Sequence, residues 1–249
     1  MSKLRELLTP QVSPFRKYRH EIIKQLQPIL KSGDILLRDG QHYMLGVLPF
    51  SRFVQWLTNS KYAHCSLVYE NIEEPLLAEI SNVGMQRQFL IDWLDEVYGK
   101  DFLVLRCDKS TQSCMDKVYL RAKELVRQDP FYNVNLNLLD TETLYCVQFV
   151  YECYRSAGIE LAPPLALGKL PNWNTWCKIL NKFFRFDENQ LMYFVGNKDI
   201  GLMSSNCMKI VCKVSLKNFQ VGMGIDLKWK QHEQYQSQNY LAKNLAHIQ

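Results

Sequence analysis

The stretch Leu138–Leu161, "LLDTETLYCVQFVYECYRSAGIEL", carries the reading of this chain. Polar Asp140, Thr141, Glu142 and Thr143 lead into a helical run that begins near Cys146 and stops at Gly158, a residue suited to the position just past a helix end. Cys146 and Cys153 are seven residues apart, two turns, and so share one side of that helix. A lone helical cysteine is more often a small core residue than a reactive one. At a helix N-terminus, however, the dipole and a neighbouring imidazole together favour the thiolate, the form in which cysteine attacks. The choice turns on whether the rest of the chain supplies a base and a group to orient it.

Five histidines are available. His20 lies on the polar side of an N-terminal helical segment, His42 follows the Asp39-Gly40 turn, and His232 and His247 sit in a polar tail; all four read as solvated. His64 differs. In "KYAHCSLVYE" strand alternation puts Tyr62, His64, Ser66 and Val68 on one face and Ala63, Cys65, Leu67 and Tyr69 on the other. A strand is a rigid mount for a base. The next strand, "PLLAEIS", carries Glu79 among Leu76, Leu77, Ala78 and Ile80, where an unpaired carboxylate would be costly. A hairpin across "NIEE", with Ser66 opposite Ile80 or Val68 opposite Ala78, is expected to bring Glu79 toward His64. Alone, each residue also has a plainer reading: His64 as a satisfied structural histidine, Glu79 as an edge-strand charge. Triads occur in every chain order, so spacing does not decide between the readings.

Around these elements the chain alternates helices and mostly antiparallel strands, which indicates an α+β fold. Pro14–Leu30 reads as an amphipathic helix disturbed by Pro28, Ile35–Arg38 as a strand, and "LPFSRFVQWLTNS" as a helix capped by Ser51. Further on come a helical "QFLIDWLDEVYG", a strand "FLVLRC" and a long helix "SCMDKVYLRAKELVRQ" ending at Asp129-Pro130. "CMKIVCKVSL" and "FQVGMGIDLKW" read as two last strands.

The 249 residues suffice for one large domain, and 47% apolar with 22% charged residues describes an ordinary globular chain. A net charge of +5 is too small to argue for nucleic acid. From Lys169 onward eleven Lys/Arg stand against five Asp/Glu, so the last third offers a basic face, solvated or turned toward a membrane surface or an acidic partner. No run reaches membrane-spanning length, and the charged start lacks a signal peptide's apolar core, so folding in a cytosol is expected. Eight cysteines with no C-x-x-C pair and no zinc-type His spacing fit reduced thiols, without a metal or other cofactor.

Taken in order, "SGDILLR", "FSRFVQWLTNSKYAHCSLVYE", "LLAEIS", "DFLVLRC" and "FYNVNLNLLDTETLYCVQFVYECYRSAG" resemble the circularly permuted NlpC-like, papain-type hydrolases. These form the YiiX-like group, related more distantly to lecithin retinol acyltransferase. The resemblance spans roughly residues 32 to 160. It implies a small antiparallel β-barrel packed against a nucleophile-bearing helix, with Cys146 as nucleophile, His64 as base, Glu79 as the orienting residue, and Tyr132 and Tyr145 facing substrate. Asn133 stands where the family pattern implies an Asp, and Val147 and Gln148 replace small polar and acidic residues. The chain is then expected to comprise an N-terminal helical segment (1–31), a catalytic core (32–165) and a basic extension (166–249) with a loose tail from about 231. The implied activity is cleavage of an amide bond through a Cys-His-Glu triad and an acyl-enzyme. A lipid-directed thiol esterase or acyltransferase, or a non-catalytic peptide- or acyl-binding module, remains as an alternative.

Overall fold

The structure, a computed structural model, describes residues 12–40, 43–44, 48–140, 142–173, 187–222 and 224–226. His42, His232, His247, Thr141, the tail from 231 and much of "YMLGVLPFSRF" therefore lie outside the described residues or their described side chains.

The strands in chain order are β1 (Ile35–Arg38), β2 (Tyr43–Met44), β3 (Leu48–Pro49), β4 (His64–Asn71), β5 (Pro75–Ser81), β6 (Gly84–Phe89), β7 (Asp101–Cys107), β8 (Phe131–Tyr132), β9 (Thr143–Leu144), β10 (Leu165–Ala166), β11 (Leu191–Met192) and β12 (Met208–Ser215). The α-helices are α1 (Arg19–Leu26), α2 (Phe50–Leu57), α3 (Leu90–Asp95), α4 (Gln112–Gln128), α5 (Cys146–Ser156) and α6 (Leu216–Gln220). One six-stranded sheet, in the order β12-β7-β1-β4-β5-β6, organises the chain, and each of its pairings is antiparallel. The α+β fold with an antiparallel sheet packed against the Cys146 helix is as expected, and the sheet is open where a small barrel was expected. β8 lies against the last strand, β6, and a bridge from Asp226 to Lys213 lies on the outer side of β12, so the two edges do not meet.

The apolar runs of the central strands dictate two cores, because a strand buried on both faces must be apolar on both. Leu36, Val68, Leu77 and Val104 meet Ile22 and Leu26 of α1, Leu90, Trp93 and Leu94 of α3, and Phe219 of α6. Ile35, Leu37, Leu67, Leu103 and Leu105 meet Val118, Ala122 and Leu125 of α4 and Phe149, Val150 and Cys153 of α5. Cys153 is thus core, and burial pushes its thiol up.

Two polar ties fix α5 and β1. The Tyr154 hydroxyl donates to the Gly33 carbonyl at 2.5 Å, at the turn where Gly33 takes φ +91° and Met115 leaves no room for a Cβ. Arg106 clasps Asp34 with Nε at 2.7 Å and Nη2 at 2.6 Å.

Elsewhere the elements differ from expectation in instructive ways. The N-terminal helix begins as a 3₁₀ turn at Arg16–Tyr18 and ends at Leu26, before Pro28. Helix α2 starts at Phe50, so Ser51 lies inside it rather than capping it. Strand β6 is polar and half exposed, with no apolar pattern to reveal it. Of "FQVGMGIDLKW", the opening Phe219 and Gln220 belong to a short helix, Leu216–Gln220, that places Phe219 in the core rather than to a strand, and residues 227–229 lie outside the described residues.

Candidate active site

Cys146 is the first residue of α5, and Tyr145 before it makes no side-chain cap. The backbone N–H groups of the first turn have no intrahelical acceptors, so the helix presents a donor-lined, positive end at the thiol. Ahead of it, β8 and β9 pair in parallel, Phe131 with Thr143 and Tyr132 with Leu144. Asn133 closes the intervening loop: its Nδ2 donates to the Asn137 carbonyl at 2.8 Å and its Oδ1 accepts from the Asn137 N–H. The residue standing in for an expected Asp is thus used in shaping the loop.

The β4–β5 hairpin brings in the other two residues. Its register sets Leu67 opposite Ala78 and Val68 opposite Leu77, with a bulge before Glu70. This is one residue away from the expected pairings, and the difference matters, because a one-residue slip moves every side chain to the other face. Continued along the strands, the observed register sets Ser66 across from Glu79, on the His64 face, and the Ser66 hydroxyl donates to Glu79 Oε2.

His64 and Glu79 are 1% and 0% exposed, and His64 Nε2 meets Glu79 Oε2 at 3.0 Å. Trp93 Nε1 donates to Ser66 Oγ at 2.8 Å and to Glu79 Oε2 at 3.2 Å. Glu79 Oε1 takes Arg38 Nη2 at 3.0 Å. Arg38 in turn reaches the Glu96 carboxylate at 2.8 Å and its carbonyl at 3.0 Å, and lies over the Trp93 ring at 5.3 Å. A buried carboxylate between α3 and the sheet is tolerable because it is paired on both oxygens.

By alternation His64 belongs to the α3 face of the sheet, while Cys146 belongs to the α4–α5 side. They meet at the end of the sheet, since His64 is the first residue of β4, and the imidazole and the Cys146 thiol are within hydrogen-bonding reach. With Nε2 committed to Glu79, the nitrogen left for the sulfur is Nδ1.

The charges follow from this geometry. Burial favours a neutral Glu79, yet Arg38 and then His64 hold the carboxyl well below the usual carboxylate range. Burial likewise opposes the imidazolium, but Glu79, followed by Cys146, outweighs it and His64 is pushed up to about 9. The Cys146 thiol is held well below its ordinary value, chiefly by a hydrogen bond from Cys65 and, against the effect of burial, by His64. The arrangement therefore favours a thiolate beside an imidazolium at neutral pH.

Of the two tyrosines expected to face substrate, Tyr132 comes near the sulfur, its phenol pushed up by burial and then by Cys146 and Cys65. Tyr145 is buried, and its hydroxyl accepts the Tyr193 N–H at 2.7 Å. Arg38, Ser66, Trp93 and Cys65 escaped the sequence reading. For Arg38 a signal existed: an arginine closing the apolar run "DILLR", on the same strand face as Leu36, needs a buried partner. His20 is exposed on α1, as expected. A cavity of about 610 Å³ between α4 and α5 is lined by Arg121, Leu125, Leu138, Asp140, Gln148 and Glu152 among others; Cys146 is not part of its wall.

A buried cysteine at a helix N-terminus, set against a histidine and a carboxylate on an antiparallel sheet, is the arrangement of a papain-like fold. The family model for the permuted papain-like amidase enzymes, YaeF/YiiX, the C92 family, matches residues 29–176, more than half the chain. The chain belongs to that family, and so to a group of cysteine hydrolases. It is similar to the crystal structure of metalloprotein yiiX from Escherichia coli O157:H7, at 18% identity and a TM-score of 0.58, over 73% of this chain and 96% of that one. No curated protein sequence matches it. Among the described residues no group of three or more His, Cys, Asp or Glu is placed to hold a metal ion, and no helix is long and apolar enough to cross a membrane.

Proposed function

We propose that the protein hydrolyses an amide bond with Cys146 as nucleophile, His64 as acid and base, and Glu79 as the residue that orients His64. One observation carries the reading: His64 Nε2 is fixed on a fully buried carboxylate at 3.0 Å while the other side of the ring is turned to a thiol at a helix N-terminus. Glu79 has little freedom, being held by Arg38, Ser66 and Trp93, so it fixes both the ring and its tautomer.

The chemistry then runs in two halves. The Cys146 thiolate attacks the substrate carbonyl carbon, and the oxygen takes up the negative charge beside the Cys146 backbone N–H. As the C–N bond breaks, the His64 Nδ1 proton passes to the leaving amine, giving a thioester on Cys146 and a neutral imidazole. Water enters, gives a proton to Nδ1 and attacks the thioester carbon. Expulsion of the thiolate releases the carboxylic acid, whose proton dissociates, and restores the ion pair.

The test uses p-nitrophenyl acetate as an activated acyl donor. A burst of p-nitrophenol, with an acetyl group located on the Cys146 peptide by mass spectrometry, is expected from the parent protein and absent from Cys146→Ala and His64→Ala. Acetylation spread over several thiols without a burst sinks the reading. Acyl anilides of the same acids then report amide cleavage directly.

A further inference from the structure

The mechanism leaves one polar residue of the Cys146 helix unused. Gln148, where the chain departs from the family pattern, lies two residues past Cys146 and so faces almost the opposite way round the helix. It is 4% exposed and lines the cavity of about 610 Å³ between α4 and α5. Among the described residues its Oε1 has no hydrogen-bond partner. A buried carboxamide oxygen without a donor is costly, and an apolar side chain of similar length would fill the place without that cost. An acceptor kept at a cavity wall points to a ligand that brings its own N–H.

The charges of the wall narrow the choice. Arg155 and Glu152 pair with each other at 2.8 Å, and Arg121 pairs with Glu124, outside the wall, at 2.6 Å. Those four charges cancel. Asp140 and Glu142, from the loop between α4 and α5, have no cationic partner among the described residues. Asp140 accepts neutral donors only, the Glu142 N–H at 3.0 Å and the Thr143 hydroxyl at 2.7 Å. The surplus charge of the cleft is therefore negative, and its buried unpartnered atom is an acceptor. Leu125, Leu138 and Leu144 add aliphatic surface to the same wall. We propose that this cleft binds an organic cation, an ammonium or guanidinium group on an aliphatic stem. Its N–H groups meet Gln148 Oε1 and the Asp140 and Glu142 carboxylates, and its stem lies on the leucines. A free alkylamine and a lysine or arginine side chain of a peptide both carry this chemistry. The site is distinct from the sulfur, since Cys146 is not part of its wall, so occupancy does not require the thiol.

The experiment is isothermal titration calorimetry with two probes, agmatine and N-acetylarginine methylamide. The parent protein is expected to bind at a single site, more weakly as salt rises. Gln148→Met keeps the length and removes the acceptor; it is expected to weaken binding about tenfold, the loss of one hydrogen bond to a charged group. The double variant Asp140→Asn, Glu142→Gln, outside the core, is expected to weaken binding at least as much and carries the test should Gln148→Met fold poorly. Cys146→Ala is expected to bind as the parent does. Without ligand, the thermal midpoint of Gln148→Met should match or exceed the parent's, because a buried unpartnered oxygen has been removed. A lower midpoint with unchanged binding would mean that Gln148 only packs, and the proposal falls. It falls equally if neither probe gives heat at millimolar concentration, or if binding is lost in Cys146→Ala. Either probe binding better supports the site: agmatine points to a free amine, the arginine derivative to a peptide side chain.

Discussion

Arg38 and His64 stand directly opposite each other in the β1–β4 ladder, and they divide one carboxylate between them. Arg38 takes Glu79 Oε1 at 3.0 Å and His64 takes Oε2 at 3.0 Å. The carboxylate is thus stabilised by a permanent cation on one oxygen and by the titrating imidazole on the other.

That division predicts a bell-shaped pH dependence of amide hydrolysis. The acid limb comes from protonation of Cys146, whose thiol lies well below its ordinary value. The alkaline limb comes from loss of the His64 proton near 9, which removes the acid for the leaving amine. Cys146→Ala and His64→Ala are expected to lose activity by a factor on the order of a thousand or more, as for other members of nucleophile–base pairs. Rates measured across the pH range with an acyl anilide check this; a profile still rising well beyond 9 would contradict it.

Stability should follow the same groups with opposite signs. His64 is raised from 6.5 to about 9, so its contribution is complete below 6.5 and is lost as the pH rises through about 9. Glu79 is lowered from 4.5, so its contribution is present above 4.5 and is lost as the pH falls toward its folded value. Urea unfolding of the parent and of His64→Gln is expected to show a stability gap that is widest below 6.5 and narrows above 9. A gap that is constant with pH would rule out the ion pair as its source.

Arg38→Leu should be far more damaging than its place outside the Cys-His-Glu set suggests. It leaves Glu79 buried with one cation fewer and strands the Glu96 contact, for a loss of roughly 3–5 kcal/mol. Arg38→Lys restores a charge but cannot span both Glu79 and Glu96 and lie over Trp93 in the same way, so it should recover only part. Denaturant midpoints decide; a loss within measurement error for Arg38→Leu would count against the pairing.

Trp93→Phe removes one N–H shared by Ser66 and Glu79 while keeping most of the ring in the core. A loss of about 1–3 kcal/mol is expected. Turnover should fall while Cys146 alkylation at neutral pH persists, since the thiol contacts Cys65 and His64 rather than Trp93. Equal loss of both readouts would mean that the tryptophan only supports the fold.

The helix of Cys146, the strand of His64 and the strand of Glu79 were legible in the sequence because each is an apolar run with a clear stop or turn. The polar edge strand Gly84–Phe89 was not, since half-exposed GMQRQF carries no apolar alternation. Register was off by one because both strands are apolar and buried on both faces, so alternation does not choose between neighbouring pairings of "SLVYE" with "LLAEI". What selects between them is a polar fit, Ser66 against Glu79, and the bulge before Glu70. Arg38, Trp93 and Ser66 gather round Glu79 from three separate elements, a convergence that no single stretch displays.

His64 and Glu79 sit on one hairpin, close in sequence, whereas Cys146 comes from a helix much later in the chain. During synthesis from the N-terminus, the hairpin can pair before Cys146 has been made. A ribosome-bound or partly unfolded chain therefore carries Cys146 as a common thiol with no imidazole beside it. Acquisition of fast alkylation by Cys146 thus marks the moment at which the late helix docks on the early hairpin, and its loss under denaturant marks their separation.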